Sequence, residues 1–287
     1  MGINTKDFRA KEGEKVRLKQ WKTKIKDFYD DKDEYKEMLE KHVDDLREMQ
    51  GLLYAHDRYS LLLVFQALDA AGKDGAIRHV MSGVNPQGCQ VYSFRRPTSE
   101  DLDHDFLWRT NKCLPERGRI GIFNRSYYED VLVVKVHPEI VAKLPIPDEN
   151  RKDIFDERYK SIVQLEKHLH RNGTRVVKFY LHLSKDEQKA RFLDRIDDPT
   201  KNWKFNPGDL DERKHWAKYM EAYEECITAT STKEAPWYIV PADDKENARL
   251  IISRVVVETL KDLKMSYPSP NVSPKEFKEF RKLLEKE

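Results

Sequence analysis

The chain has 287 residues, 36% of them charged, but its 53 basic and 51 acidic side chains nearly cancel to a formal net charge of +2. This balance gives no support to a nucleic-acid-binding protein, although a cleft could still concentrate positive charge for a polyanionic ligand. Three cysteines without a C-x-x-C pair, a polar start at Met1–Lys6 and no apolar stretch of membrane length favour a cytoplasmic protein with reduced thiols and no membrane contact.

Both ends of the chain are predicted to lie outside the main domain, which we place at residues 58–266. Within residues 1–57, the first 30 are basic and polar without a clear period, which predicts an arm over the surface. From Asp33 to Asp57 apolar residues recur every three or four positions, which predicts an amphipathic helix that packs on the sheet or on another subunit. Residues 267–287 begin with a Pro/Ser-rich break and end in a charged helix, so we expect a peripheral segment.

The main domain alternates between predicted strands and predicted helices. The predicted strands are Leu61–Phe65, Cys89–Phe94, Arg119–Phe123, Arg175–Leu183 and Trp237–Val240. The predicted helices are one ending near Met81 and those over Asp101–Leu114, Asp153–Arg171 and about 245–264. This alternation implies an α/β fold, a parallel sheet with helices on both faces, and a ligand at the carboxyl ends of the strands. The run Val131–Val136 fits a strand or a buried helix equally well.

The segment after the first strand is similar to a phosphate-binding P-loop with two departures. The usual pattern is G-x-x-x-x-G-K-[ST]. Gly72 and Lys73 are kept here, but Ala67 replaces the first glycine and Asp74 replaces the Ser/Thr. Backbone N–H groups at the start of a helix attract phosphate, whereas the alternative is a tight turn with a solvated lysine. The candidate phosphate- or nucleotide-binding residues of this segment are Ala70, Ala71, Gly72, Asp74, Gly75 and Arg78.

Asp69 and Asp74 are unusual in a loop that binds phosphate, because bare carboxylates repel it. They become useful if a divalent cation lies between carboxylate and phosphate, and Asp69 is the candidate to replace the missing hydroxyl as a Mg²⁺ ligand. The alternative role for Asp69 is that of an ordinary turn residue. Lys73 would reach terminal phosphate oxygens and, with Asp69, is a candidate catalytic residue.

A second group of polar residues follows the third strand. The place where a Walker-B aspartate would hold Mg²⁺ is occupied by Asn124, and Arg125 comes next, able to bind phosphate through two donors. Glu129 and Asp130 lie about one helical turn later. Asn124, Arg125 and Glu129 are therefore candidate catalytic residues, with Asn124 also a candidate metal ligand. The alternative is an exposed, charged helix start.

The third group is a basic segment within residues 184–212. Arg191 and Arg195 are four residues apart and share a helix face, and Lys201 and Lys204 follow in a loop. Such a segment suits a lid that closes on phosphates and excludes water. A solvated charged helix is the alternative.

Taken together, the three segments resemble the polyphosphate kinase 2 family. The resemblance is carried by D-A-A-G-K-D-G from Asp69, by F-N-R-S-Y-Y-E-D from Phe123 and by R-I-D-D-P-T-K-N-W-K from Arg195. It implies a P-loop kinase-like three-layer α/β/α fold with a five-stranded parallel sheet and a helical lid. It also implies Mg²⁺-dependent, reversible phosphoryl transfer between inorganic polyphosphate and nucleotides, and a homo-oligomer, either a dimer or a tetramer.

The second motif narrows the resemblance to a subgroup. Family members that phosphorylate nucleoside diphosphates commonly read F-D-R-S-W-Y-N-R, whereas this chain has Asn124 for the aspartate and Glu129-Asp130 for the final pair. That pattern resembles the class III subgroup, which accepts nucleoside mono- and diphosphates. The implied partners are polyphosphate and the purine nucleotides AMP, ADP and ATP, with GMP and GDP as further candidates. For Asn124 and Glu129 the resemblance implies only proximity to the metal or the acceptor phosphate.

Two other functions remain open from the residues alone. A nucleotide kinase of the thymidylate-kinase type would use ATP as donor, but it should keep the Ser/Thr that Asp74 replaces. A non-catalytic polyanion-binding module would gain nothing from Asp69. The choice of phosphate donor separates these alternatives from the polyphosphate-dependent enzyme.

Overall fold

A five-stranded parallel sheet forms the centre of the computed structural model, which describes residues 2–287. The strands are arranged in the order β2-β3-β1-β4-β5, and every neighbouring pair is parallel. Their bounds are β1 Ser60–Gln66, β2 Cys89–Ser93, β3 Ile120–Asn124, β4 Thr174–His182 and β5 Trp237–Pro241. All five predicted strands are confirmed to within one residue at each end.

Twelve α-helices lie in the described residues, and short 3₁₀ turns occur between some of them. In chain order they are α1 Lys32–His56, α2 Lys73–Val80, α3 Ser99–Leu102, α4 Trp108–Asn111, α5 Glu129–Val136, α6 Pro138–Val141, α7 Ile154–Arg171, α8 Lys185–Asp197, α9 Gly208–Lys214, α10 Trp216–Thr230, α11 Lys245–Lys261 and α12 Pro274–Leu284. No helix within residues 2–287 is both long enough and apolar enough to cross a membrane.

Side-chain alternation along β1 divides the core into two layers. Leu61, Leu63 and Phe65 belong to a cluster with α1, α2 and α11 on one face of the sheet. Leu62 and Val64 point the other way, into a cluster with α5, α7 and α10. Both faces of the central strand are buried because helices cover both sides of a parallel sheet. The predicted α/β/α fold is confirmed.

The predicted helix Asp101–Leu114 is wrong as a single element. The chain forms α3 and α4 instead, and Asp105 between them accepts a hydrogen bond from the backbone N–H of Leu107 at 2.9 Å. Aspartate often stabilises turns in this way, and here it competes with a continuous helix. The ambiguous run Val131–Val136 is helical, and most of its side chains are buried, which explains why it showed no helical period.

The predictions for the arm and for the helix within residues 1–57 are refined by the contacts that these two segments make. Helix α1 packs against α11, with Leu46 and Leu53 fully buried and a hydrogen bond of 2.9 Å between His42 and Ser253. The arm lies along β5, where the N–H of Ala10 donates to Trp237 O at 2.9 Å. The apolar face of α1 is therefore used within the chain, against a helix of the outer layer.

A fully buried ion pair joins the sheet to the helices α7 and α10 that pack on one of its faces. Lys178 on β4 donates to Glu166 on α7 at 2.5 Å and to the carbonyl of Thr230 at 2.7 Å. The other oxygen of Glu166 accepts the hydroxyls of Tyr127 and Tyr128 at 2.9 and 2.8 Å. These tyrosines lie two and three residues after Arg125, so the network anchors the chain segment that leaves β3.

Removing one member of this pair should destabilise the fold strongly. In the Glu166→Ala variant, Lys178 loses its counter-charge and two tyrosine hydroxyls lose their acceptor, all without access to water, and breaking a buried pair costs about 3–5 kcal/mol. Urea denaturation measures the loss. Glu157→Ala is the control, since Glu157 lies exposed on the same helix and pairs only with Lys160; it should cost less than about 0.5 kcal/mol. Equal unfolding midpoints for the two variants would show that the pair adds no stability.

Candidate active site

Strand pairing brings the first two sequence motifs together. In the parallel register Phe65 of β1 lies opposite Asn124 of β3, so the residues after both strands leave the sheet at the same edge. The N–H of Arg125 donates to Phe65 O at 3.0 Å, which extends the pairing by one bond. The loop after β1 and the motif after β3 therefore lie together at the carboxyl edge of the sheet, where the sequence predicts the ligand.

The loop of residues 67–75 has the strand-loop-helix setting of a P-loop. Gly72 has φ +99° and is the N-cap of α2, and Ala70 has φ +63°. A left-handed conformation suits glycine but strains alanine, so Ala70 needs support from its surroundings. The helix then begins at Lys73, with Asp74 in its first turn.

The ammonium group of Lys73 is turned back onto its own loop. It donates to the carbonyl of Ala67 at 2.9 Å and lies within 3.5 Å of the carbonyl of Leu68, and the residue is buried. Burial lowers the pKa of Lys73, and the nearby charge of Arg125 lowers it further. A phosphate in the loop would replace these contacts to neutral carbonyls with a contact to a negatively charged acceptor.

Arg191 binds the backbone of the phosphate loop. The sequence predicts it instead to be a cation on a lid, available to bind phosphate. Its guanidinium donates to the carbonyls of Ala70 and Ala71 at 3.0 and 2.9 Å, and to those of Ala242 and Asp243 at 2.6 and 3.1 Å. The residue is buried. Its contacts account for the left-handed turn at Ala70, and direct phosphate binding by Arg191 stays a prediction.

Arg125 connects the two motifs electrostatically. It donates to Asp69 at 2.9 Å and lies 3.5 Å from Glu129, and its backbone has φ +64°. In the amide orientation that satisfies its neighbours, Gln66 donates to Glu129 at 2.8 Å. Asp69, Arg125 and Glu129 therefore form one cluster, as the sequence predicts.

Asn124 contacts the other loop carboxylate. Its amide nitrogen donates to Asp74 at 2.6 Å, so the residues predicted as metal ligands, Asp69 and Asn124, have different partners. Within residues 2–287 no three His, Cys, Asp or Glu side chains are grouped as a metal site. Mg²⁺ commonly uses one or two carboxylates and completes its shell with water and substrate phosphates, so Asp69 fits it without such a group.

The basic segment forms the opposite wall of a cleft above the loop. Arg195 lies 3.5 Å from Asp209, and Lys201 lies 2.9 Å from both Asp194 and Asp198. The cleft has a volume of about 720 Å³. The predicted residues that line it are Asp69, Ala70, Ala71, Gly72, Lys73, Asp74, Gly75, Asn124, Arg125, Arg191, Arg195, Lys201 and Lys204.

Two predicted residues lie apart from this lining. Glu129 lines an adjoining cavity of about 720 Å³ that shares Asp69 and Arg125 with the cleft. Arg78 is exposed on α2, one helical turn beyond Gly75, and belongs to neither lining. The structure thus gathers every predicted site residue except Arg78 around two connected spaces.

Sequence reasoning missed five charged residues of the cleft wall. They are Arg95, Arg96, Asp194, Asp209 and Lys245. Arg95 and Arg96 follow β2, and Lys245 begins the helix after β5, so their position after strand ends was an available signal. Asp209 had no such signal, because it comes from a helix packed over the cleft.

Asp130 of the second motif has a separate role in holding the wall. Its carboxylate lies 3.8 Å from Arg109 and 4.0 Å from Arg158, and Arg109 donates to the carbonyl of Arg95 at 2.7 Å. Burial raises the pKa of Asp130 to about 6, against the opposing effect of the two arginines. Arg109 therefore links Asp130 of the second motif to the backbone of Arg95 in the cleft wall.

Replacing Arg191 by lysine should loosen the loop. The Arg191→Lys variant keeps the charge but loses most of the carbonyl contacts, and hydrogen bonds to charged groups contribute about 1.5–3 kcal/mol each. Backbone amides of residues 69–73 should exchange with deuterium about tenfold faster. Lys189→Ala, an exposed change on the same helix, should leave the exchange unaltered. Unchanged exchange in Arg191→Lys would show that the loop holds its shape without this residue.

Asp209 should make stability depend on pH between about 4 and 6. Burial, with the nearby charge of Asp69, raises its pKa from 3.8 to about 6. Between these values Asp209 binds more proton in the folded chain than in the unfolded chain, so its contribution to stability falls as pH rises. Asp209→Asn should therefore have the higher melting temperature above pH 6, and the difference should vanish below pH 4.

Asp211→Asn is the control for this measurement. Asp211 lies on the same helix, and its hydrogen bond to Lys214 lowers its pKa, so its removal should bring no gain above pH 6. Parallel melting curves for wild type and Asp209→Asn across this range would contradict the assignment.

Comparisons with known proteins identify the family of this chain. The family model "Polyphosphate kinase 2 (PPK2)" matches residues 29–268. An "ADP-polyphosphate phosphotransferase" of Rhodopseudomonas palustris is 60% identical over 93% of each chain. An "AMP/ADP-polyphosphate phosphotransferase" of Meiothermus ruber is 46% identical over 79% of this chain and 82% of its own. The crystal structure of polyphosphate kinase 2 from Arthrobacter aurescens superposes with a TM-score of 0.87 at 36% identity, over 98% of this chain and 96% of its own. On the family model, the sequence identities and the shared fold, this chain belongs to the polyphosphate kinase 2 family.

Proposed function

We propose that this chain is a kinase that transfers phosphoryl groups, reversibly, from inorganic polyphosphate to AMP and ADP, forming ADP and ATP. The observation that carries the proposal is the composition of the cleft. Carboxylates at Asp69 and Asp209 lie among the cations Lys73, Arg125 and Arg195, at the start of a helix that can hold phosphate. Two polyanionic substrates need that mixture of cations and metal-binding oxygens.

The chemistry asks little of the protein beyond alignment and charge neutralisation. A terminal nucleotide phosphate is already a nucleophile, so no deprotonating base is required. Lys73 and Arg125 would hold the phosphoryl group in transfer, and the basic wall at Lys201 and Lys204 would hold the remaining polyphosphate. Positioned cations of this kind raise rates by orders of magnitude in other phosphoryl transferases.

Magnesium is the cofactor we propose, with Asp69 as its protein ligand. When bound, Mg²⁺ neutralises phosphate charge and orients the oxygens around the transferred group. Asn124 uses its amide nitrogen for Asp74, and its amide oxygen is the group we propose as a second ligand. Asp69 would have to exchange its contact with Arg125 for the metal, which frees that guanidinium for phosphate.

The acceptor range rests on the second motif. The two relatives with named acceptors differ, since one name gives ADP and the other gives AMP and ADP. Asn124 and Glu129 match the class III pattern, which supports both acceptors, and GMP and GDP are further candidates. We also propose a homo-oligomer, a dimer or a tetramer, on the resemblance alone, because α1 packs its apolar face within the chain.

The division of the chain is part of the same proposal. Residues 58–266 would form the catalytic unit, with a lid at 184–212 that covers α8 and the start of α9. Residues 1–57 and 267–287 would flank it. Because Arg191 ties the middle of α8 to the loop, lid movement would be confined to the part beyond it, from about Arg195.

The donor assay tests the function directly. Purified protein is incubated with Mg²⁺ and either AMP or ADP, with polyphosphate or ATP as donor, and products are followed by chromatography. Product with polyphosphate supports the proposal. Product with ATP as the sole effective donor would instead indicate a nucleotide kinase of the thymidylate-kinase type, and no product with either donor a binding module.

Asp69→Asn tests the assignment of the site. Removing the charge while keeping the size should reduce polyphosphate-dependent turnover by roughly two orders of magnitude, a loss typical of a deleted charge-stabilising group. The melting temperature should hardly change, because the side chain is partly exposed and makes one ion pair.

Asp186→Asn is the matched control, an exposed aspartate at the start of α8. It should retain full turnover. Near-normal activity in Asp69→Asn would remove Asp69 from the catalytic centre. Lys73→Ala is a less clean test, because Lys73 is buried and its loss also changes the loop.

A further inference from the structure

A second cavity lies outside the catalytic cleft, between the N-terminal arm, the end of β4 and the start of α10. We call it the arm pocket; it has a volume of about 760 Å³, within the range of small-molecule sites. Its walls include Trp21 from the arm, His182 from β4 and Trp216 from α10. It shares no lining residue with the cleft that holds the loop of residues 67–75.

The apolar part of the arm pocket is unusually aromatic. Trp21 and Trp216 are both only partly buried, and Met220 lies beside them in the lining. Two of the five tryptophans of the chain therefore line this one cavity. Flat π-faces of this kind bind aromatic bases by stacking, with little dependence on the identity of the base.

The rim of the arm pocket is cationic. Four exposed lysines belong to it: Lys19, Lys22, Lys24 and Lys185. In the part of the chain that the structure describes, none of the four lies within 4.0 Å of a carboxylate, unlike Lys201 in the catalytic cleft. Of the two glutamates in the lining, Glu224 already accepts the N–H of Leu18 at 2.6 Å. The rim therefore offers unpaired positive charge to an anionic group.

His182 supplies an independent sign of an unfilled contact. The residue is 5% exposed, and its Nδ1 is buried without a hydrogen-bond partner, alone among the polar side-chain atoms that line this pocket in residues 2–287. Burial lowers the pKa of His182 to about 4, so the ring is neutral at physiological pH. A neutral imidazole can donate to or accept from the edge of a base. Buried polar atoms without partners are rare in folded proteins.

We propose that the arm pocket is a second nucleotide site, with the base against the indoles of Trp21 and Trp216 and the phosphates on the rim lysines. A polyphosphate chain alone would satisfy the lysines but leave the aromatic walls and His182 without a partner. The site adjoins the base of the lid, because Lys185 begins α8 and its carbonyl accepts a hydrogen bond of 2.8 Å from Arg213 of α9. The proposal does not depend on the donor that the catalytic cleft uses.

Equilibrium binding of ADP to the full chain tests it, with Mg²⁺ present and polyphosphate absent. Calorimetry should give two ADP per wild-type chain. The triple variant Lys19→Gln, Lys22→Gln, Lys24→Gln should bind one ADP per chain and weaken the second site at least tenfold. The matched control is Lys275→Gln, Lys278→Gln, Lys282→Gln on α12, which removes the same charge and should keep both sites. A single ADP per chain in wild type, or two in the rim variant, would overturn the proposal.

Photolabelling with 2-azido-ADP locates the site without any substitution. Labelled peptides should include residues 17–24 or 215–221, and unlabelled ADP should protect them while tripolyphosphate at the same concentration should not. Label confined to peptides of the catalytic cleft would refute the second site. Equal protection by tripolyphosphate would assign the pocket to a polyphosphate chain and overturn the nucleotide.

Discussion

The parallel pairing of β1 with β3 is the constraint on which the candidate site depends. It places Phe65 opposite Asn124, so two loops leave the sheet at one edge, and Asn124 reaches Asp74, 50 positions away in the sequence. The hydrogen bond from Arg125 N–H to Phe65 O then fixes the backbone of Arg125, and the guanidinium of this residue donates to Asp69. A slip of one residue between these strands would send every side chain of β3 to the opposite face, and the two motifs would no longer meet.

Two cations of the cleft, Arg191 and Lys73, hold the phosphate loop through its backbone carbonyls. Arg191 donates to four backbone carbonyls and Lys73 to two, so both stabilise the loop in the absence of phosphate. Backbone carbonyls are weaker partners than phosphate oxygens, and Lys73 can change partner when a ligand arrives. Arg191 has more contacts to lose, and its position fits a support for Ala70 in its left-handed conformation. Arg191 thus holds the conformation of the loop, whereas Lys73 can turn from the loop to a bound anion.

The sequence predicted the sheet well because each strand was a short apolar run bounded by turn residues. It also predicted the cluster of Asp69, Arg125 and Glu129, since residues after parallel strands meet at one edge. It could not predict the break between α3 and α4, where Asp105 competes locally with the helix. Nor could it distinguish Arg191 from Arg195, which share a helix face by spacing but differ in burial, a property decided by the tertiary packing of α8. Asp209 was missed for the same reason, because its place at the cleft comes from the packing of α9.

The two departures from the P-loop pattern form a single exchange. In an ordinary P-loop enzyme a neutral hydroxyl begins the helix and a charged aspartate ends the neighbouring strand. Here the carboxylate is on the helix side, at Asp74, and the neutral amide is on the strand side, at Asn124. The two side chains bond to each other at 2.6 Å, so the charge at the pair of positions is unchanged and only its location moves. Asp74 lies in the first turn of α2, where the helix dipole favours a negative charge. The exchange therefore moves a carboxylate from the end of β3 to the start of α2, where the helix dipole compensates its charge and the amide of Asn124 donates to it.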